Sequence, residues 1–172
     1  MRLYTEFIVL YEDMPMPTEE MFCPSFWKAD DFDAGGDYYA EGIDGRWTHL
    51  ELTRRQKGAP ESTLGVYTHR EKNIIESGLQ ETADLQRYID YKTQGRYRYE
   101  EPLAQIQSLA VTSLCFDTPS VEDYREFLTT VHNFLLATKG QIINYSEILD
   151  AELFAERFLQ EDPGQYIRRN GL

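Results

Sequence analysis

Val121, Tyr124, Phe127, Leu128, Val131, Phe134 and Leu135 recur at the i, i+3, i+4, i+7 spacing of a single helix face. They follow a long apolar stretch, residues 106–116, that reads as a strand. A helix with one apolar stripe, entered from a buried strand, must lay that stripe against a sheet. The junctions agree. Asp117-Thr118-Pro119 starts the helix, with proline at a first-turn position where its missing N–H does no harm. Lys139-Gly140 ends it, a cation at the negative pole and then a glycine suited to the left-handed conformation. Residues 141–145 predict a short return strand.

The rest of the chain supplies the sheet. Phe7-Ile8-Val9-Leu10, inside a predicted strand over 3–11, is a continuous apolar run suited to a central strand buried on both faces. Met14-Pro15-Met16-Pro17 stops it, and Thr18 before Glu19-Glu20 predicts a capped helical turn. Residues 30–36 predict a loop and 37–43 a strand. Asp44-Gly45 predicts a tight hairpin. The return strand, 46–53, alternates Thr48, Leu50 and Leu52 with Trp47, His49 and Glu51. Residues 54–60 predict a basic loop, 63–67 a third strand, and 79–91 a helix with Leu85, Tyr88 and Ile89 on one side and Gly95 as its stop. A polar, Tyr-rich connector spans 96–101. Asp150 caps a last helix that buries Leu153, Phe154, Phe158 and Leu159, and Asp162-Pro163-Gly164 stops it. Together these predict one α+β domain over residues 1–172, a mostly antiparallel sheet with helices packed on one face.

Charge narrows the partners. The formal net charge is −13. Nucleic acid and anionic membranes, which recruit Lys and Arg, are therefore not expected as partners. A basic protein is. No run is long and apolar enough for a membrane helix, and the first residues lack a signal peptide's apolar centre and small-residue cleavage site. A cytoplasmic setting is the expectation, with Cys23 and Cys115 as reduced thiols and Cys115 buried as a small hydrophobe.

Chemistry-bearing motifs do not assemble. His49, His69 and His132 show no metal-ligand spacing. His69, beside Arg70 and Glu71, is the one histidine worth testing as a general base. No GxSxG elbow surrounds Ser77 or Ser113, and Gly35-Gly36 and Gly140 form no phosphate loop. Asp30-Asp31-Phe32-Asp33 lacks the remaining ligands of a calcium loop. The expectation is a protein with no catalytic residues, metal or cofactor.

What stands out is charge asymmetry. Glu12, Asp13, Glu19, Glu20, Asp30, Asp31, Asp33, Asp37, Glu41 and Asp44 are opposed only by Lys28, and a basic stretch follows through Arg46, Arg54, Arg55, Lys57, Arg70 and Lys72. The acidic stretch also holds Phe22, Phe26, Trp27, Phe32, Tyr38 and Tyr39. Charge to steer and rings to bury are what an interface with a basic partner requires. Trp27, Asp30, Asp31, Asp33, Asp37, Tyr38 and Tyr39 form the expected contact set; a solvated loop beside inward-facing aromatics is the alternative.

The segment Ser113-Leu114-Cys115-Phe116-Asp117-Thr118-Pro119, then Tyr124-Arg125-Glu126-Phe127-Leu128, then Thr138-Lys139-Gly140-Gln141-Ile142-Ile143 resembles the strand–helix–strand unit of small acidic bacterial immunity proteins. The resemblance covers the last third of the chain, and the same unit occurs in ferredoxin-like domains. It implies a ferredoxin-like element there and a non-enzymatic protein that binds and neutralises one cognate toxin. That family has no shared catalytic motif, so no residue inherits a role. Two other readings stand beside it. One is a small-molecule enzyme or sensor with His69, Arg70 or Tyr97 in a pocket. The other is an acidic nucleic-acid mimic, against which the basic stretch around Arg54 counts.

Overall fold

The computed structural model describes residues 2–23, 32–39, 45–70, 82–97 and 108–160; of Tyr39 and residues 82–84 only the backbone is described. In chain order these residues form β1 (Leu3–Glu12), α1 (Glu19–Phe22), β2 (Phe32–Gly35), a 3-10 turn (Asp37–Tyr39), β3 (His49–Gln56), β4 (Ala59–Arg70), α2 (Thr82–Thr93), β5 (Leu109–Thr118), α3 (Val121–Thr138), β6 (Gln141–Ile142) and α4 (Ala151–Phe154), which runs on into a π-helical turn (Ala155–Leu159).

The fold is α+β. The strands make a six-stranded sheet in the order β2-β3-β4-β5-β1-β6, with every neighbouring pair antiparallel. Because β1 is antiparallel to both β5 and β6, those two run parallel with β1 between them, and α3 carries the chain across. The apolar run of β1 is buried on both sides, as its composition requires: Phe7, Ile8 and Val9 are fully buried and Leu10 nearly so.

Alternation along the strands builds two cores of unequal size. One face collects Leu3, Phe7, Val9 and Tyr11 of β1, Leu114 and Phe116 of β5, Leu64 and Val66 of β4, and Leu50 and Leu52 of β3, under the α3 stripe and Phe22, Phe154 and Phe158. α1, α3 and α4 cover this face. The opposite face carries a smaller cluster of Ile8, Leu10, Leu109, Val111 and Ile143, covered by Leu85 and Ile89 of α2. Among the described residues no helix is long and apolar enough to cross a membrane.

The ends of α3 differ in detail from expectation. Ser120, not the Asp117-Thr118 pair, is the N-cap, its hydroxyl accepting from the Asp123 N–H, and Pro119 precedes the helix. At the other end Lys139 itself takes the left-handed conformation, at φ 54°. Gly140 is required for a different reason. A Cβ there would lie 2.5 Å from Cγ1 of Val9 and 2.9 Å from Oγ1 of Thr138. The glycine lets the chain leave the helix and fall directly onto β1.

A predicted loop and a predicted strand resolve differently. The basic loop over 54–60 is a hairpin: β3 continues through Gln56, Lys57 and Gly58 turn with positive φ at both positions, and Ala59 pairs back with Gln56. Charged residues are tolerated in this strand because acids from other elements meet them, as described below. The strand expected over 37–43 is, at Asp37–Tyr39, a 3-10 turn. The Asp37 carboxylate accepts from the N–H groups of Thr48 and His49, at 2.9 and 2.7 Å, a local alternative to ladder pairing. Gly45 has the expected positive φ. Asp44, residues 24–31 and the Asp162-Pro163-Gly164 stop lie outside the described residues.

β6 is short, and a side chain extends it. Beyond Ile142 the Asn144 amide takes over the ladder on β1, its Oδ1 accepting from the Ile8 N–H and its Nδ2 donating to the Glu6 carbonyl, both at 2.9 Å.

Candidate functional site

The expected contact set does not form one surface among the described residues. Trp27, Asp30 and Asp31 lie outside them, as does the Tyr39 side chain. Asp33 pairs with Thr53 across the β2–β3 ladder and so points to the α2 side of the sheet, where it is exposed and ion-paired with Arg55. Tyr38 turns the other way. Its ring stands edge-on to buried Trp47 at 5.1 Å, and its hydroxyl accepts from the Glu19 N–H. Asp37 is occupied by the backbone of β3. In this region the acid and the ring do structural work on opposite faces.

The same kind of pairing engages the arginines of the basic stretch. Arg54 reaches Asp123 and Glu126 of α3, Arg55 reaches Asp33, and Arg70, almost wholly buried, donates to Asp13 and to the Trp47 carbonyl. Arg46 stands 3.9 Å from the same Asp13. Charges well separated in the chain thus cancel in space.

Strand alternation also separates His69 from Arg70. His69 faces α2 and stacks on Tyr88 with ring centroids 4.0 Å apart, while Arg70 lies on the opposite face. Burial, and secondarily Lys92, lowers the His69 pKa, which favours the neutral imidazole. Cys115 pairs with Gly65 in the ladder, whereas His69 pairs with Val111, too far along the sheet for a thiol–imidazole pair. Burial and then Glu6 raise the Cys115 thiol pKa, which suppresses thiolate. Both cysteines are free.

Further exposed acids sit on α4, on the π-helical turn after it and on the loop leading into it. Glu147, Asp150, Glu152 and Glu156 are exposed there, with Arg157 the neighbouring cation, ion-paired to Glu147 at 2.6 Å. Two large aliphatics share the segment: Ile148 is 45% and Leu159 38% exposed. Leu159, expected on the buried side, is turned out by the π-helical turn, whose wider winding carries Phe158 inward beside Phe7. The signal was present in the acidic spacing of 147–156, but the more acidic stretch upstream masked it.

A second feature is concave. A cavity of about 580 Å³ opens at the end of the sheet where β1 finishes, α3 ends and β6 begins. Leu10, Leu109, Met14 and Ala137 give it apolar walls; Glu12, Tyr97, Lys139 and Gln141 give it polar ones. Of the residues expected in a pocket, Tyr97 is here, and His69 and Arg70 are not among its walls. Burial raises the Tyr97 pKa, keeping its hydroxyl protonated.

These features define an α+β domain built on a six-stranded antiparallel sheet, with an acidic exposed segment at α4 and an open cavity at the end of β1. Compared with known protein families, curated proteins and solved structures, the chain finds no match.

Proposed function

We propose that this chain is a non-enzymatic binding protein, an immunity protein that neutralises a basic cognate toxin by covering it. The observation that carries this reading is the α4 segment, where Glu152 and Glu156 stand exposed with Ile148 and Leu159 beside them in the chain. Exposed acids steer a cationic partner into encounter, and exposed aliphatics supply area that gains by desolvation. The net charge of −13 acts in the same direction at longer range. A cytoplasmic setting and a basic toxin belong to the same reading.

The test starts with affinity capture from the source cell, followed by purification of the basic protein retained. Glu152→Lys combined with Glu156→Lys should slow association by about tenfold at low ionic strength, since exposed charges act mainly on the encounter rate. Added salt should remove most of the difference between variant and parent. Association rates that are equal at low salt would dismiss the α4 surface. A captured protein that leaves a toxin fully active when bound would dismiss the immunity role.

A further inference from the structure

The cavity at the end of β1 holds charges of both signs that no described residue pairs with. Glu12 and Lys139 line it, both exposed, and neither side chain makes a hydrogen bond or ion pair among the described residues. The Gln141 amide and the Tyr97 hydroxyl are likewise uncommitted there. Asp13, the other carboxylate in the wall, differs: Arg70 holds it at 3.0 Å. The pairing of Leu10 with Gln141 puts Glu12 and Lys139 at the same end of the sheet, on facing chains. Leu10 and Leu109 line the same cavity and belong to the buried cluster on the α2 side.

An acid and a base at the rim of an apolar pocket match a ligand that carries both charges on an apolar body. The volume lies within the roughly 300–1,000 Å³ of small-molecule sites. We propose that this cavity binds a small zwitterion with an apolar side chain, an α-amino acid of the leucine or methionine kind, its ammonium on Glu12 and its carboxylate on Lys139. The side chain rests on Leu10, Leu109 and Met14, and the Tyr97 hydroxyl and Gln141 amide complete the polar contacts. The site is independent of the α4 surface and of any protein partner.

Calorimetric titration of the full chain with L-leucine and L-methionine tests this. Saturable binding of either is expected. 4-Methylpentanoate lacks the ammonium and 3-methylbutylamine lacks the carboxylate; each should bind at least about tenfold more weakly than leucine. Glu12→Gln and Lys139→Asn should each weaken leucine binding by about tenfold with an unchanged circular dichroism spectrum. Asparagine is chosen because it tolerates the left-handed backbone of position 139. No binding of either amino acid at millimolar concentration overturns the proposal. So does a comparator that binds as tightly as leucine, a result that depends on no variant folding.

Discussion

Asp123→Ala is expected to lower stability by about 3 kcal/mol, because it breaks a buried ion pair from one side only. Asp123 joins three elements. One carboxylate oxygen accepts from the Arg54 guanidinium of β3 and the other from the Ser62 hydroxyl of β4, and Ser62 is bonded in turn to Thr118 at the end of β5. The Arg54 and Asp123 side chains are only 13% and 9% exposed. With the carboxylate gone, Arg54 keeps Glu126 at 3.0 Å, which holds the loss at the lower end of the range for broken buried pairs. Urea unfolding measures it. Adding Arg54→Met should recover part of the loss, because the buried cation, left with Glu126 alone, is then absent as well. A loss below about 1 kcal/mol for Asp123→Ala would mean that α3 does not depend on this network for its docking.

Phe7→Ala should cost more, about 4 kcal/mol, with a melting temperature lower by roughly 10 °C. Phe7 is fully buried and is the hub of the aromatic core. Its ring lies 5.9 Å from Phe127, 5.2 Å from Tyr145, and 5.3 Å from both Phe154 and Phe158. These neighbours come from α3, α4, the π-helical turn after it and the loop between β6 and α4, so truncation leaves a void that no single element can move to fill. Tyr4→Ala on the same strand is the control. Tyr4 is 63% exposed, and its loss should stay within about 0.5 kcal/mol. Thermal melts of the two variants compare them directly; equal shifts would refute the assignment of faces along β1.

The elements most visible in the sequence were those whose period matches their burial. Most of the α3 stripe is found as read, with Tyr124, Phe127, Leu128, Val131, Phe134 and Leu135 buried on one side and Val121 partly buried, and the four apolar residues in succession in β1 are covered on both faces of the sheet. What local pattern could not show was where a charge finds its opposite. Arg54 and Arg55 look like loop residues until Asp123, Glu126 and Asp33 arrive from distant parts of the chain. For the same reason the acidic stretch at 12–44 overstated its own exposure: Asp13 and Asp37 are spent on internal donors. The cavity was less legible still. Glu12 and Lys139 carry no mutual spacing signal, and only the antiparallel arrival of β6 beside β1 makes them neighbours.

Asn144 has an implication for how the molecule behaves in company. A strand flanked by a two-residue partner would normally leave amide and carbonyl groups facing water, and such a row is a template on which a foreign chain can add itself. By occupying the Ile8 N–H and the Glu6 carbonyl, a single carboxamide denies that template to other chains. At this margin the Asn144 carboxamide, together with the Ile143 N–H that donates to the Ile8 carbonyl, covers edge groups that a two-residue strand does not reach.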